Sequence, residues 1–273
     1  FEYGNIKDQI IYGAVDIGNT RIKCLLKDKF FAANYYKEPE LNEFIDEFSR
    51  FIKNLSEFKI LFGYSSVNNT GNEIFHSIIR NEKNIKILHS DEILEKQKIL
   101  DHPVHFRLGS DRLFGMLGAL CMFEPPLITV DFGTAVTVNI VVKSEDKEYF
   151  ANALGGTIFP DIDLQIKSLL MNTSKIKNID YVRAQNDYGT QIEDSVSLGV
   201  YSSVLGGIKE IINRIQYQIF KTENYPIIIT GGRNSEFADA LSQVYSQVYS
   251  DDILVIKGIL HSVQSIAGTF DFS

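Results

Sequence analysis

Two short stretches of this sequence put a carboxylate and a glycine at the mouth of a turn between apolar runs. They are Asp16 and Gly18 in YGAVDIGNTRIKCLL, and Asp131 and Gly133 in PLITVDFGTAVTVNIVV. Each reads as strand, Asp-x-Gly turn, strand. Such a turn exposes successive backbone N–H groups that can cradle phosphate oxygens, and a carboxylate at its edge can hold a hydrated cation. Asp16 is therefore expected to position Mg²⁺ through water and not to touch phosphate, because like charges repel. Asn19 and Thr20 in the first turn, and Thr134 and Thr137 in the second, add neutral donors.

One Asp-x-Gly turn is ordinary hairpin chemistry. Two copies in one chain point to two related halves whose turns face a common cleft. A third stretch, PIIITGGRNSEFADAL, ends a β-branched run on Gly231-Gly232, where the missing side chains let a flat ring such as adenosine lie close to the main chain. Together these read as an ATP site. The chain has neither the Gly-x-x-x-x-Gly-Lys-Ser/Thr loop nor a kinase-type glycine loop, which excludes the two commonest phosphate-binding designs.

The elements that must hold these turns alternate along the chain. IIYGAV and RIKCLL read as a hairpin across the Asp16 turn, and KFFAANYY as a third strand. Leu41, Phe44, Ile45, Phe48, Phe51 and Ile52 recur at helical spacing, KILFGYSSV and NIKILHS are strands, and TGNEIFHSIIRN is a helix. The order specifies an α/β fold with largely buried sheets. Near the end, the repeat SQVYSQVYSDD reads as a helix end and loop before a strand ILVIKGI. Two domains are expected, residues 1–122 and 123–273.

Composition narrows the functions. The chain has 273 residues, 44% of them hydrophobic, and a net charge of −8, with its 27 basic residues scattered, so neither nucleic acid nor a membrane surface is an expected partner. Cys24 and Cys121 both lie in apolar segments and are expected to be buried, reduced thiols of an intracellular protein. No apolar run is long enough to span a bilayer, and FEYGNIKDQI is too polar for a signal peptide, so a cytoplasmic location is expected. Because the chain opens on Phe1, a few natural N-terminal residues are expected to be either missing or replaced. His76, His89 and His261 lack metal-ligand spacing, and no zinc site is expected.

The trio DIGNT, DFGTAVT and TGG resembles the superfamily of acetate and sugar kinases, heat-shock chaperones and actin. Within it, LGSDR at Leu108 to Arg112 resembles the Gly-x-Asp-Arg motif of type III pantothenate kinases, and LGGTIFP, YGTQIEDSVSLGVYSSVLGGI and DDILVIKGIL follow in the family's order. The resemblance implies two actin-like, ribonuclease H-like halves, each a mixed central sheet flanked by helices, with a cleft between them. It implies ATP-dependent phosphorylation of pantothenate to 4′-phosphopantothenate, the first committed step towards coenzyme A. Asp111 would be the general base, a role in which positioning counts for more than basicity. Arg112 would hold an anionic substrate or the transferring phosphoryl group, Gly109 would give the loop room, and Ser110 and His102 would border the pocket. A bare Gly-Ser-Asp-Arg reads equally as Asp111 capping the helix RLFGMLGALCMF.

The same resemblance implies a monovalent cation, K⁺ or NH₄⁺, at Asp131, and a homodimer in which Thr190 contacts substrate across the interface. Thr190 also reads as a helix N-cap. The chain departs from the family pattern at Asn139, where Asp is common, and at Pro160-Asp161, where Pro-Gly is common. Each departure is expected to weaken cation binding or stiffen a loop. His102 stands where a tyrosine is often found, and both it and His105 also read as surface loop residues. Two other functions fit the motifs: a non-catalytic relative with an accessory transcription factor-like role, and a superfamily kinase acting on another small hydroxyl compound.

Overall fold

The computed structural model describes residues 10–102, 108–183 and 187–269. Strands β1 (Ile10–Ile17), β2 (Arg21–Leu26) and β3 (Lys29–Asn34) form an antiparallel meander. The backbone N–H of Gly18 donates to the carbonyl of Arg21 at 3.0 Å and closes the first Asp-x-Gly turn. Helix α1 (Glu38–Lys53) follows, burying Phe44, Phe48 and Ile52 at the spacing read from sequence. Strand β4 (Lys59–Ser66) then lies parallel to β1. Helix α2 (Asn69–Ile79), capped by the Asn68 side chain, leads into β5 (Ile85–His89), parallel to β4. The five-stranded order is β3-β2-β1-β4-β5.

Helix α3 (Ser90–Lys96), the short β6 (Leu100–Asp101) and α4 (Ser110–Leu120) make the crossing to the second half. There the plan repeats. Strands β7 (Leu127–Phe132), β8 (Ala135–Lys143) and β9 (Ala151–Pro160) form a second meander. After α5 (Ile162–Asn172) and α6 (Ile192–Ile215) comes β10 (Ile227–Gly231), parallel to β7. After α7 (Asn234–Ser242) comes β11 (Val248–Ser250), parallel to β10. The six-stranded order, β11-β10-β7-β8-β9-β6, reproduces the first sheet strand for strand apart from β6. The molecule is an α/β fold of two related actin-like halves, and each Asp-x-Gly carboxylate is the next-to-last residue of its half's first strand.

Strand alternation decides which way those carboxylates face. Val15 and Ile17 point into the core beneath the first sheet, and Val130 and Phe132 into the core beneath the second. Asp16 and Asp131 therefore project from the opposite faces, the ones turned towards the shared core that α4 builds between the halves.

The segment expected as the strand ILVIKGI is instead helical. It belongs to α8 (Leu254–Ile266), which packs against α4, β1 and β4 and so returns from the end of the chain to the first sheet. Leu254, Val255, Ile256, Gly258, Ile259, Ser262, Val263 and Ile266 are buried while His261, Gln264 and Ser265 are exposed, a one-sided helical pattern, but the stretch expected as a strand spans fewer than two turns and opens on four apolar residues in a row, too short a window to show it. Its β-branched content then misleads. The crossing with α4 is backbone on backbone: a Cβ on Gly258 would strike the Phe114 carbonyl, and one on Gly118 the Leu254 carbonyl.

The cysteines also divide. Cys24 is buried in β2, whereas Cys121 is exposed, because it follows the last turn of α4 at the helix's C-cap. Both are free thiols. Among the described residues no helix is long and apolar enough to cross a membrane.

Candidate active site

The two turns and the start of α4 bring three carboxylates into one electrostatic neighbourhood. Burial pushes the Asp16 carboxyl up to about 6; Lys23 pulls it down, and Asp111 and Asp131 push it further up. Asp131 behaves alike: burial raises it to about 6, against Lys23 and with Asp111. Carboxylates that feel one another in this way lie near one another in space. Lys23, which the motif reading passed over, stands directly opposite Asp16 on the antiparallel β1–β2 pair. Facing cross-strand neighbours share a side of the sheet, so its ammonium is the common counter-charge of both turns.

Asp111 sits in the first turn of α4, whose N-cap position is taken by Gly109 and not by Asp111. Its Oδ1 accepts the backbone N–H of Arg112 at 2.9 Å. A Cβ on Gly109 would collide with that same Oδ1, so the glycine makes room for the carboxylate. Ser110 is held from the other half of the cleft, its Oγ 2.9 Å from the Oγ of Ser65. Ser65 lies beside Asp16 on β4. Arg112 donates from Nε to Asn139 Oδ1 at 2.7 Å, and Asn139 donates from Nδ2 to Thr129 Oγ1 at 3.1 Å. The Arg112 Nη2 and the Thr137 Oγ1 are buried with no hydrogen-bond partner among the described residues. Thr137 is directly opposite Asp131 on β7–β8.

The turn backbones are open where a ligand would need them. Asn19 and Thr20 are exposed, as are Gly133 and Thr134. The first turn is braced from outside: the Tyr35 hydroxyl donates to the Gly18 carbonyl at 3.3 Å and the Asn68 side chain donates to the Asn19 carbonyl at 3.2 Å. Gly231 and Gly232 differ in kind. Gly231 has φ +97° and lies against β7, where a Cβ would sit 2.7 Å from Asp131 Oδ1, so this position requires glycine for the second turn's sake. Gly232 faces open space, with its N–H bonded to the Phe132 carbonyl at 2.9 Å.

Two expected residues lie apart from this cluster. Thr190 is exposed and lines a cavity of about 580 Å³ between α5 and α6 with Gln165, Leu169, Ile176 and Ser195. It is not the helix cap, since Gln191 takes that position for α6. His102 follows β6 and is partly exposed, and among the described residues no hydrogen bond joins it to Asp111 or Arg112. His105 lies outside the described residues. The departure at Asp161 has a structural reason: its carboxylate caps α5, accepting from Leu164 N–H at 2.9 Å.

Among the described residues no three His, Cys, Asp or Glu side chains close on one point as a ready-made metal cage. The donors in this neighbourhood are oxygens, two half-buried carboxylates and the Thr137 hydroxyl, which suit a hard cation completing its shell with phosphate and water.

Known proteins resemble this chain in sequence and in fold. A family model of type III pantothenate kinases matches residues 14–214, a span holding both Asp-x-Gly turns and the Gly-Ser-Asp-Arg motif. A type III pantothenate kinase of Sulfurihydrogenibium sp. is 27% identical over 254 residues, covering 90% of this chain and 96% of its own. One from Legionella pneumophila is 33% identical over 153 residues, 56% of each chain, so that match spans just over half of either protein. Among solved structures, a conserved Baf family protein from Campylobacter jejuni superposes with a TM-score of 0.57 at 20% identity, over 94% of this chain and 99% of its own, which is a likeness of fold. With a family match across most of its length, this chain belongs to the type III pantothenate kinase family.

Proposed function

We propose that the protein is a cytoplasmic kinase that transfers the γ-phosphoryl group of ATP to the terminal hydroxyl of pantothenate, giving 4′-phosphopantothenate and ADP. The observation that carries this reading is the meeting of Asp16, Asp111 and Asp131 around one cleft in a chain of this family. Asp111 is the general base. Its Oδ1 is occupied by a backbone N–H, which leaves Oδ2 to accept the substrate proton as the hydroxyl oxygen bonds to the γ-phosphorus. The bond from that phosphorus to the β–γ bridging oxygen breaks, and ADP keeps the electron pair. Little basicity is needed, because positioning and charge stabilisation supply most of the catalysis in phosphoryl transfer.

ATP lies across the two turns, its phosphates on the N–H groups and hydroxyls around Gly18, Asn19, Thr20, Gly133, Thr134 and Thr137, and its adenosine over Gly232. Asp16, through water, would hold Mg²⁺, and Asp131 with the unpaired Thr137 hydroxyl would hold a monovalent cation. When bound, these cations neutralise charge on the phosphates, which Lys23 alone does not. Arg112 binds the carboxylate of pantothenate, with Ser110, Gly109 and His102 at the rim. Thr190 serves a second copy of the chain: the α5–α6 surface around it exposes Leu164, Met171, Tyr188 and Ile192, the apolar material of a homodimer interface.

Incubation with ATP, Mg²⁺ and pantothenate, followed by mass spectrometry of the small molecules, tests the reading. A new species heavier than pantothenate by one phosphoryl group supports it. Unchanged pantothenate beside a folded, ATP-binding protein would refute it.

A further inference from the structure

The end of β10 carries a cluster of charged and aromatic side chains that the phosphate-binding turns leave unused. Arg233 follows Gly232 and takes the N-cap position of α7. Its guanidinium donates from Nη2 to Asp163 Oδ1 at 2.6 Å, and Glu236 Oε2 stands 3.9 Å from Nη1. The same guanidinium lies over the Tyr181 ring, 4.8 Å from its centroid. The Tyr181 hydroxyl in turn donates to Glu236 Oε1, which ties the ring to the carboxylate. Two carboxylates thus hold the guanidinium by its terminal nitrogens while a ring backs one side of it. The Arg233 side chain still keeps 27% of its surface exposed.

Strand register places this cluster beside the second Asp-x-Gly turn. Gly231 pairs with Phe132 on one flank of that turn, and Pro160 pairs with Ala135 on the other. Asp163 follows shortly after Pro160, in the first turn of α5, so the contact between Arg233 and Asp163 runs from one flank of the turn to the other. Gly232, next to Arg233, faces open space. A nucleotide whose phosphates lie on the turn and whose ring lies over Gly232 therefore meets Arg233. Charge disfavours a phosphate contact there, since one guanidinium is outweighed by two carboxylates. What Arg233 offers instead is a flat, delocalised surface of the kind on which bases stack. Stability does not account for the cluster either, because Asp163 is 68% exposed and exposed ion pairs contribute little.

We propose that Arg233, braced by Asp163, Glu236 and Tyr181, is the platform on which the base of the nucleotide stacks, with Gly232 as the bare backbone beside it. This rests on the ATP reading of the site and adds to it the residue that binds the base. Stacking reads ring area and not the donor and acceptor pattern of a base edge, so Arg233 favours a purine over a pyrimidine triphosphate.

The test is R233K, which keeps the positive charge and can keep the ion pair with Asp163 but loses the plane. Isothermal titration calorimetry compares it with wild type for ATP, CTP and inorganic tripolyphosphate, which has neither base nor ribose. With melting temperature preserved, R233K should weaken ATP binding roughly fivefold or more, weaken CTP binding by less, and leave tripolyphosphate binding unchanged. In turnover the variant should raise KM for ATP and leave kcat within about twofold, because the base is stacked alike in ground and transition states. Equal losses for ATP and tripolyphosphate would mean that Arg233 holds phosphate, and unchanged ATP affinity would mean that it only joins two helices. Either result overturns the inference and leaves the kinase reading standing. If R233K does not fold, the wild-type protein decides: it should bind ATP more tightly than CTP and tripolyphosphate, and equal affinity for all three overturns the inference. A wild-type protein that binds none of them would remove the ATP reading and this inference with it.

Discussion

The hydroxyl of Ser65 lies 2.9 Å from the hydroxyl of Ser110, joining the strand beside Asp16 to the helix turn that carries Asp111. Ser65 is buried. This contact sets how the proposed base in α4 faces the first Asp-x-Gly turn. Ser65→Ala should keep the fold at a cost of about 1 kcal/mol, the net value of one such bond. Released from its partner, Ser110 no longer fixes the first turn of α4, and kcat should fall by up to roughly tenfold. Thermal melting and steady-state kinetics on the variant check both parts.

Asp111→Asn removes the proposed base and changes little else, because its Oδ1 still accepts the Arg112 N–H. Phosphorylation should fall by a factor on the order of 10² or more, with ATP affinity and melting temperature preserved. Near-normal turnover would take Asp111 out of the base role.

Much of this arrangement was legible in the sequence, and the reasons are local. Asp16-x-Gly18 and Asp131-x-Gly133 announce themselves because strand alternation and a glycine turn are short-range signals, and their repetition exposed the duplicated topology. Gly109, Ser110, Asp111 and Arg112 are contiguous, so one motif carried them. Lys23 was missed because only the register that pairs it with Asp16 reveals it as the turns' counter-charge. Asn139 was seen only as a departure, since its partner Arg112 arrives from a distant helix. Helix α8 was misread as a strand because the seven residues taken for it begin with four consecutive apolar side chains from Ile253 and span fewer than two turns, too short a window to show the helix's one-sided burial.

The raised carboxyls give the ligand-free protein a definite pH dependence. Asp16 and Asp131 titrate near 3.8 in an unfolded chain and at about 6 when folded, so between those values the folded state holds more protons. Their contribution to stability is complete below pH 3.8 and is lost as pH rises through about 6. Asp131→Asn abolishes the ionisation. At pH 8 without nucleotide the variant should be more stable than wild type by on the order of 1 to 3 kcal/mol, and the difference should vanish towards pH 4. Urea unfolding at the two pH values decides it, and a variant less stable than wild type at pH 8 would contradict the sign.

The crossing of α4 and α8 offers a test of the fold. Gly258→Ala drives a methyl into the Phe114 carbonyl and should cost on the order of 3 kcal/mol or more, since backbone cannot step aside as a side chain can. Gly206, within α6, has open space where its Cβ would be, and Gly206→Ala should stabilise by about 0.5 to 1 kcal/mol. Urea midpoints moving in opposite directions would bear out the packing described for both helices.

The central claim is that the cleft holding Asp16, Asp111 and Asp131 couples ATP to pantothenate. The most direct measurement is the steady-state rate of ADP release by the purified protein with Mg²⁺, with and without pantothenate, in potassium-containing and potassium-free buffer. The account predicts release that requires pantothenate and is strongly increased by potassium. A folded protein whose ADP release is the same with and without pantothenate would contradict it.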